Sequence, residues 1–288
     1  MLKKVFICIL LVLYVTTTTV TANTLVIKDE QVSETIVRDH FSIDTVEPLF
    51  IDQDKLDILF KRIEEQVYQE PKNAYINDRE EIIPEKPGLA LDRRKLYERF
   101  HDFFYSDVSF QISVPQKKIY PRIDGELLSE IRNHLLGSYT TYFKKSNKER
   151  SHNIELAAEA INNTVVFPGE EFSFNKVVGK RTKERGYKRA PVIVRGELSE
   201  DIGGGICQVS STLFNAVDLE GISILERYSH SRNVPYVPPG KDATVSWWGP
   251  DFTFKNEYNH PILIRAKANE GRIIIRVFSS ESVESKAE

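Results

Sequence analysis

The residue best suited to chemistry in this chain is Cys207, which follows three consecutive glycines and begins a stretch with the apolar spacing of a helix. A thiol in the first turn of a helix lies near unpaired backbone N–H groups and the positive end of the helix dipole, and both favour the thiolate. The thiolate is the nucleophilic form of cysteine. Cys207 is therefore a candidate nucleophile, and a small buried core residue is the other interpretation of this position.

A histidine and two aspartates follow the cysteine in an order that thiol enzymes use. His230 comes after Cys207 in the sequence, Asp242 comes after His230, and Asp251 is the last of the four. In such a site the imidazole stabilises or deprotonates the sulfur, and a carboxylate fixes the tautomer of the ring. We predict Cys207, His230 and Asp242 as catalytic residues. The spacing alone is weak evidence, because a chain with six histidines offers some such order by chance.

The glycine run has two functional interpretations and one structural one. Backbone N–H groups near the cysteine, with the side chain of Gln208, would hold a developing oxyanion. The same amides would alternatively bind a carboxylate without any reaction, or the glycines serve only a close approach of two backbones. The predicted substrate-binding residues are Gly203, Gly204, Gly205, Gln208, Ser210, Ser211 and Asp251. The chain lacks the clustered His/Cys/Asp spacing of a metal site, so we predict no metal and no cofactor.

The start of the chain, 1–22, has the pattern of a secretory signal peptide. A short basic start is followed by an apolar run at 5–15 and by a stretch that ends in Ala22. We predict cleavage after Ala22 and export to the cell envelope or the extracellular space; an uncleaved segment would act as an anchor. Cys207 would then be the single cysteine of the mature chain, which excludes an internal disulfide, because Cys8 lies in the removed segment.

Length and charge narrow the class of protein. The 288 residues suffice for a signal peptide followed by one large domain or two modest ones. The chain has 39 basic and 42 acidic residues, and two of its lysines lie in the signal peptide, so the mature chain would carry a charge of about −5. With no clustered basic stretch, this balance argues against nucleic acid as a partner. A membrane contact is expected only if the first segment is retained.

Changes in pattern along the chain predict an α+β fold with two domains. A small helix/strand module comes first, and a β-rich domain with one central Cys-bearing helix follows. The predicted segments are a lead-in (23–49), the module (50–120), a connector (121–137), the second domain (138–280) and a tail (281–288).

Periodicity places the elements inside these segments. Helices are predicted after Asp52 and after Asp92, each of which is a plausible N-cap, and a further helix is predicted at 207–219. The strands predicted from alternation or from β-branched runs lie at 74–83, 108–114, 222–228, 244–248, 262–266 and 272–278. The last two are predicted to pair as a hairpin through Asn269, Glu270 and Gly271.

Several motifs of the second domain resemble the VanW family, over a stretch from about residue 138 to about residue 278. The central and most specific motif is Gly203-Gly204-Gly205-Ile206-Cys207-Gln208-Val209-Ser210-Ser211-Thr212-Leu213. Others are Pro168-Gly169-Glu170-Glu171-Phe172-Ser173-Phe174-Asn175, His230-Ser231, Tyr236-Val237-Pro238, Asp242-Ala243-Thr244-Val245 and Asp251-Phe252. The family is named after accessory genes of glycopeptide resistance. The resemblance therefore implies a cell-envelope setting, with peptidoglycan or its precursors as partner, and no particular reaction.

Two weaker likenesses accompany this one. The first module is similar to the YoaR-type domain, to which peptidoglycan binding is ascribed, through Pro71-Lys72-Asn73-Ala74, Pro84-Glu85, Gly88, Leu91-Asp92 and Val114-Pro115. The order of Cys207, His230 and Asp242 is similar to that of transglutaminase-like cysteine enzymes. Two hypotheses follow: a thiol-dependent peptidase or acyltransferase acting on peptidoglycan, or a non-catalytic protein that binds peptidoglycan or its precursors.

Overall fold

The computed structural model describes residues 24–43, 50–106, 108–194 and 197–285, and the predicted signal peptide lies outside the described residues. The described chain is a mixed α+β protein with several small sheets. It forms two compact units. One comprises the chain up to Lys72 together with Pro87–Tyr120, and the other comprises Asn73–Lys86 together with the chain from Pro121 onward.

Six α-helices and sixteen strands are found in the described residues. The helices are α1 (Gln53–Val67), α2 (Arg93–Phe104), α3 (Gly125–Ile131), α4 (Lys148–Ile161), α5 (Phe174–Val178) and α6 (Ile206–Ala216). The strands are β1 (Thr24–Lys28), β2 (Ser33–Val37), β3 (Tyr75–Ile76), β4 (Ile82–Ile83), β5 (Gly88–Leu91), β6 (Phe110–Ile112), β7 (Gln116–Ile119), β8 (His134–Tyr142), β9 (Thr164–Val166), β10 (Glu171–Ser173), β11 (Arg189–Val194), β12 (Glu197–Ile202), β13 (Ile222–Glu226), β14 (Thr253–Asn256), β15 (Ile262–Asn269) and β16 (Arg272–Ser279).

The N-terminal unit combines α1 and α2 with a three-stranded sheet of order β2-β1-β6. Both predicted helices are confirmed, and the side chains of Asp52 and Asp92 cap them by accepting hydrogen bonds from the backbone amides of Lys55 and Lys95. β1 lies in the middle of the sheet, with Leu25 and Ile27 completely buried. The stretch that the sequence suggests is a lead-in thus supplies the central strand of this unit.

The hairpin of β3 and β4 belongs to the second unit, although the sequence pattern assigns it to the N-terminal module. Ile76 is buried with Leu128 and Ile131 of α3 and with Leu263 of β15. The Asn163 side chain also pairs with the backbone N–H and C=O of Ile76, at 2.9 and 3.0 Å. The segment 73–86 is therefore fixed to the second unit by apolar burial and by backbone hydrogen bonds.

The second unit is built on an antiparallel sheet of order β8-β16-β15-β9. α4 and α6 contact each other, and both contact this sheet. Apolar residues of all three elements share one core, including Ile154 and Ala157 of α4, Val209 and Leu213 of α6, and Ile264, Ile273 and Ile275 of the sheet. The predicted hairpin of β15 and β16 is confirmed, with Glu270 and Gly271 at positive φ in the two-residue turn.

The strand predicted at 244–248 is wrong. Thr244 forms only an isolated bridge with Tyr228, and the residues after it turn back on themselves. Ser246 donates its backbone N–H to the Pro250 carbonyl at 2.8 Å, so this local turn uses groups that a strand ladder would need. Separately, none of the helices in the described part of the chain combines the length and apolar character that crossing a bilayer requires.

Candidate active site

The glycine run before α6 is held in a tight backbone arrangement. A Cβ on Gly204 would lie 2.5 Å from the Ala190 carbonyl oxygen, so only glycine fits between the two backbones. Gly205 is the N-cap of α6 and has a φ of 111°, a left-handed conformation that glycine adopts without strain. The completely buried Asn153 donates to the Gly204 carbonyl at 3.0 Å, which fixes the loop to α4.

Cys207 is the second residue of α6 and is half-buried. Its Sγ lies 3.5 Å from the carbonyl oxygen of Val245 and 3.7 Å from the hydroxyl of Thr244. His230 lies close enough to the thiol to influence its pKa. The cysteine therefore lies in the first turn of the helix, where it packs against the apolar core while its sulfur also contacts polar groups.

His230 and Asp242 are brought together beside the cysteine. The Nδ1 of His230 lies 2.6 Å from Oδ2 of Asp242, and the backbone N–H of His230 donates to the same oxygen at 2.6 Å. Their side chains are 6% and 8% exposed, so this pair is shielded from bulk water. Both residues lie in the long connection between β13 and β14, whereas strands would be the expected location for such partners in a transglutaminase-like arrangement.

The three groups shift one another's pKa in the direction of an ion pair. Burial alone would raise the pKa of the Cys207 thiol, but its hydrogen bond with His230 and the charge of that ring bring the pKa below its ordinary value. Burial would lower the pKa of His230, but Cys207 and Asp242 raise it above its ordinary value. Hydrogen bonds from His230 likewise outweigh burial and lower the pKa of Asp242. The arrangement thus favours thiolate, imidazolium and carboxylate together.

Polar side chains of α6 hold the Asp242 segment in place. Ser210 donates to the Ala243 carbonyl at 2.6 Å, and the Ser211 hydroxyl accepts from the Ala243 N–H at 2.9 Å. Asn215, one turn further, donates to the Lys241 carbonyl at 2.7 Å. One helix therefore carries the thiol and also fixes the segment whose carboxylate orients the histidine.

A cavity of about 930 Å³ opens in front of the thiol. Cys207, His230, Gly203, Gly205 and Gln208 are among the predicted site residues that line it. The predicted substrate-binding residues Gly204, Ser210, Ser211 and Asp251 are not among its lining residues. Ser210 and Ser211 are completely buried, and the hydrogen bonds described above already occupy them.

Two further predicted roles change once the hydrogen bonds are known. Both amide hydrogens of Gln208 are donated, to the Thr141 hydroxyl and the Tyr142 carbonyl at 3.0 Å each, so its side chain supports the wall rather than an oxyanion. Asp251 accepts from the Ser173 hydroxyl at 2.6 Å and the Asn175 N–H at 2.9 Å. Its carboxylate therefore positions Asn175 instead of reaching the thiol.

The backbone retains a donor beside the sulfur. Ile206 and Gln208 donate their N–H groups to the carbonyls of Gly203 and Gly205. Among the described residues, the N–H of Cys207 has no such partner, and neither do those of Gly204 and Gly205. The amide of Cys207 is therefore a helix-terminal donor next to the candidate nucleophile, in the position in which acyl-transfer chemistry requires a donor for the oxyanion.

Sequence reasoning missed three residues that line the cavity: Arg150, Arg181 and Tyr236. Burial lowers the pKa of both guanidinium groups, and it raises the pKa of the Tyr236 hydroxyl far enough to keep it protonated. All three interact electrostatically with Cys207. The positions of the two arginines in the sequence carry no warning, because isolated charged residues on helices and loops are usually solvated. Tyr236 lies in one of the motifs shared with the family. Separately, the described residues contain no cluster of His, Cys, Asp and Glu suited to a metal ion.

Comparison with known proteins agrees with the resemblance seen in the motifs. The family described as "VanW like protein" matches residues 149–278. The "Uncharacterized protein YoaR" of Bacillus subtilis (strain 168) is 54% identical over 252 residues, which cover 88% of this chain and 83% of that protein. The "Vancomycin B-type resistance protein VanW" of Enterococcus faecalis (strain ATCC 700802 / V583) is 28% identical over 170 residues, which cover 57% of this chain and 60% of that protein. No solved structure matches the chain.

Proposed function

Because this chain belongs to the VanW family, we propose that it is a cell-envelope protein that acts on peptidoglycan peptides through the thiol of Cys207. The observation that carries the proposal is the pairing of His230 with both Cys207 and Asp242 at the wall of a large cavity. The reaction class that suits these groups is acyl transfer from an amide, either to water, as in a peptidase, or to an amine.

The first chemical step would form a thioester. The Cys207 thiolate attacks the amide carbonyl, the new C–S bond replaces the C–N bond, and imidazolium His230 protonates the departing amine. The developing oxyanion accepts a hydrogen bond from the free N–H of Cys207. Asp242 keeps the imidazole ring in the orientation that presents its other nitrogen to the sulfur.

The second step would release the acyl group. Neutral His230 takes a proton from water or from an acceptor amine, which attacks the thioester and returns the sulfur as thiolate. Neither acceptor requires a metal or a redox partner. His230 donates the proton in the first step and takes one up in the second, so the protons balance over the two steps. The cavity volume leaves room for a peptide beside the thiol.

The envelope setting is supported by two independent features. One relative is named as a vancomycin resistance protein, which concerns the cell wall, and the segment 1–22 of this chain has the pattern of a signal peptide. An exported chain with one thiol has no internal disulfide partner for it, so a chemical role for that thiol fits the compartment.

A non-catalytic protein that binds peptidoglycan peptides is the second candidate, since a cavity of this size also suits binding alone. A binding loop made of glycine-flanked amides is one form of this candidate. The backbone N–H groups of Gly203, Ile206 and Gln208 already donate within the protein, whereas those of Gly204 and Gly205 have no acceptor among the described residues.

Intact-mass spectrometry of the protein mixed with stem peptides from purified peptidoglycan tests the proposal. We expect an acyl adduct on Cys207 in the wild type and none in Cys207→Ser, whose hydroxyl has a pKa too high to replace the thiolate. The Ser variant should keep a nearly unchanged melting temperature, because it preserves size and packing. A variant that retains full function in cells, together with no adduct in the wild type, would favour the binding protein instead.

A further inference from the structure

One wall of the cavity carries an excess of positive charge. Lys144, Arg150, Lys180 and Arg181 line it, and Asp201 is the single acidic residue among the lining residues. The two arginines differ from the two lysines, because the lysines are exposed whereas the arginines are half-buried. Burial of a guanidinium is costly unless an anion or several acceptors compensate it.

Arg181 is fixed in orientation and only partly satisfied. Its Nη1 donates to Oδ1 of Asn175 at 2.6 Å. The side-chain amide of Asn175 in turn donates to the carbonyls of Ser246 and Pro250, so the acceptor cannot turn away. The Nη2 of Arg181 is buried and has no hydrogen-bond partner among the described residues. The guanidinium is therefore held through Nη1, while the Nη2 donor has no acceptor among the described residues.

Arg150 is fixed in the same manner from α4. Its Nη2 donates to Oε1 of Gln208 at 2.9 Å, and the Gln208 amide is itself locked by the hydrogen bonds to Thr141 and Tyr142. Gln208 directly follows the nucleophile, so this contact places a guanidinium beside Cys207. Within the described residues, neither Arg150 nor Arg181 forms an ion pair with a carboxylate; their side-chain partners are neutral amide oxygens.

The charges of the site do not balance without a ligand. Lys144, Arg150, Lys180, Arg181 and an imidazolium His230 face the thiolate of Cys207 and the carboxylates of Asp201, Asp242 and Asp251, which leaves one positive charge in excess. Arginine presents a planar fork of donors that matches a carboxylate, and such charge-assisted pairs are the strong hydrogen bonds of binding sites. A carboxylate on a ligand in the cavity would supply the missing negative charge beside Arg150 and Arg181.

We propose that Arg150 and Arg181 form a carboxylate-binding subsite beside Cys207, so that the acyl donor is a peptide with a free carboxylate close to the amide that reacts. The identity of that donor rests on the proposed function, whereas the subsite exists whether or not the thiol is catalytic. The two arginines are specificity-determining residues that bind substrate, and Gln208 and Asn175 are the positioning residues behind them.

Two alkylating agents of similar size test the subsite on the full-length protein. Iodoacetate carries a carboxylate next to its reactive carbon and iodoacetamide carries a neutral amide. We expect the ratio of the iodoacetate rate to the iodoacetamide rate to be about tenfold higher for folded Cys207 than for the urea-unfolded protein, the effect of one hydrogen bond to a charged group. Arg181→Gln should remove most of this preference, and Arg181→Lys, which keeps the charge but loses the fork, should remove part of it.

The matched control is Arg99→Gln, which deletes an exposed guanidinium of α2 outside the cavity and should leave the ratio unchanged. If the arginines only stabilise the thiolate, Arg181→Gln will slow both reagents by the same factor, and the proposal is then overturned. High rates with both reagents and no preference would leave the nucleophile intact and remove only the subsite.

A second measurement covers the case in which the thiol reacts with neither reagent. Cys207→Ala removes the sulfur and its negative charge, so the subsite should bind anions more tightly. We expect millimolar N-acetylglycine to raise the melting temperature of this variant by at least about 2 °C while N-acetylglycinamide does not, and we expect Arg181→Gln to abolish the shift. Equal shifts with both compounds, or none with either, would overturn the subsite independently of any activity.

Discussion

At the scale of single residues, the chemistry of Cys207 depends on a carboxylate that never touches it. Asp242 accepts both the ring N–H and the backbone N–H of His230, so the histidine is fixed in position and in tautomer at once. Cys207 and Asp242 together raise the pKa of the imidazole above its ordinary value near 6.5, which favours the cation that stabilises the thiolate. The nearby Tyr236 remains protonated and adds no competing negative charge.

At Gly204, where two backbone segments of the site approach each other most closely, a larger residue should reduce stability. Gly204→Ala would place a Cβ 2.5 Å from the Ala190 carbonyl oxygen and 2.7 Å from the Pro191 carbonyl oxygen. Because both atoms belong to the backbone, the loop must shift, and we expect a loss of about 1–3 kcal/mol in the free energy of unfolding. Urea denaturation monitored by circular dichroism measures it.

The control for this prediction is Gly125→Ala at the first position of α3, where the nearest atom to an added Cβ lies 3.6 Å away. This change should leave stability unchanged or raise it by about 0.4–1 kcal/mol through the unfolded state. Equal effects of the two substitutions would mean that the glycine loop is not as tightly enclosed as the structure shows.

Some residues of the site could be predicted from the sequence, but others could not. The order of Cys207, His230 and Asp242 follows from what a thiol nucleophile requires, and the structure brings these three together. The same reasoning predicts Asp251 as a substrate-binding residue, whereas its carboxylate accepts hydrogen bonds from Ser173 and Asn175. Arg150 and Arg181 could not be found, since only long-range packing shows that their guanidinium groups are buried.

At the scale of elements, α6 performs several tasks with one short sequence. Its first turn carries the thiol, its apolar face enters the core, and its polar face fixes the segment that contains Asp242. Helix caps and hairpin turns are local, which explains why α1, α2 and the β15–β16 hairpin follow from the sequence. The strand predicted at 244–248 is wrong because these residues form a turn that the apolar pattern does not reveal.

Ser211→Ala tests the link between α6 and the Asp242 segment. The substitution leaves the buried N–H of Ala243 without its acceptor and should cost about 1–3 kcal/mol of unfolding free energy. Thermal and urea unfolding measure the loss. Ser223→Ala is the matched control, because Ser223 is exposed on β13 and its removal should change stability by less than about 0.5 kcal/mol. If both variants unfold alike, the hydroxyl of Ser211 does not hold the segment.

At the scale of the whole molecule, the chain enters each unit twice. The segment 73–86 leaves the N-terminal unit, joins the second one and leads back at Pro87. β1 pairs in parallel with β6, although α1, α2 and the excursion into the second unit all lie between these two strands in the chain. Composition and periodicity predict the α+β class, but pairings over such distances depend on tertiary contacts that no local pattern contains.

The position of β1 predicts which fragments fold. A fragment of residues 50–120 lacks the central strand of the first sheet and should be largely unfolded by circular dichroism. A fragment from residue 23 to residue 120, with the segment 73–86 replaced by a short Gly/Ser linker, should unfold cooperatively. A short linker suffices because Gln69 and Leu89 form a β-bridge and therefore lie next to each other. Cooperative folding of the shorter fragment would contradict the assigned role of β1.

The folded fragment also tests the binding role suggested by the YoaR-type resemblance. We propose that it associates with peptidoglycan, and we expect it to pellet with purified cell-wall sacculi. Its net retention should exceed that of the unfolded 50–120 fragment at the same concentration. Failure of a cooperatively folded fragment to pellet would remove wall binding from this unit and leave the chemistry at Cys207 untouched.

The most direct test of the whole account is the pH dependence of Cys207 alkylation by iodoacetamide, measured by intact mass. Because His230 lowers the pKa of the thiol, the thiolate should persist at pH values below ~8.5, the pKa of a free cysteine. Alkylation should therefore stay fast at these pH values. Its rate should fall only as the pH drops through the lowered pKa. His230→Gln should move the inflection back up towards the value of the urea-unfolded protein. A wild-type profile that coincides with the unfolded one, or alkylation that requires unfolding, would contradict an activated nucleophile at Cys207.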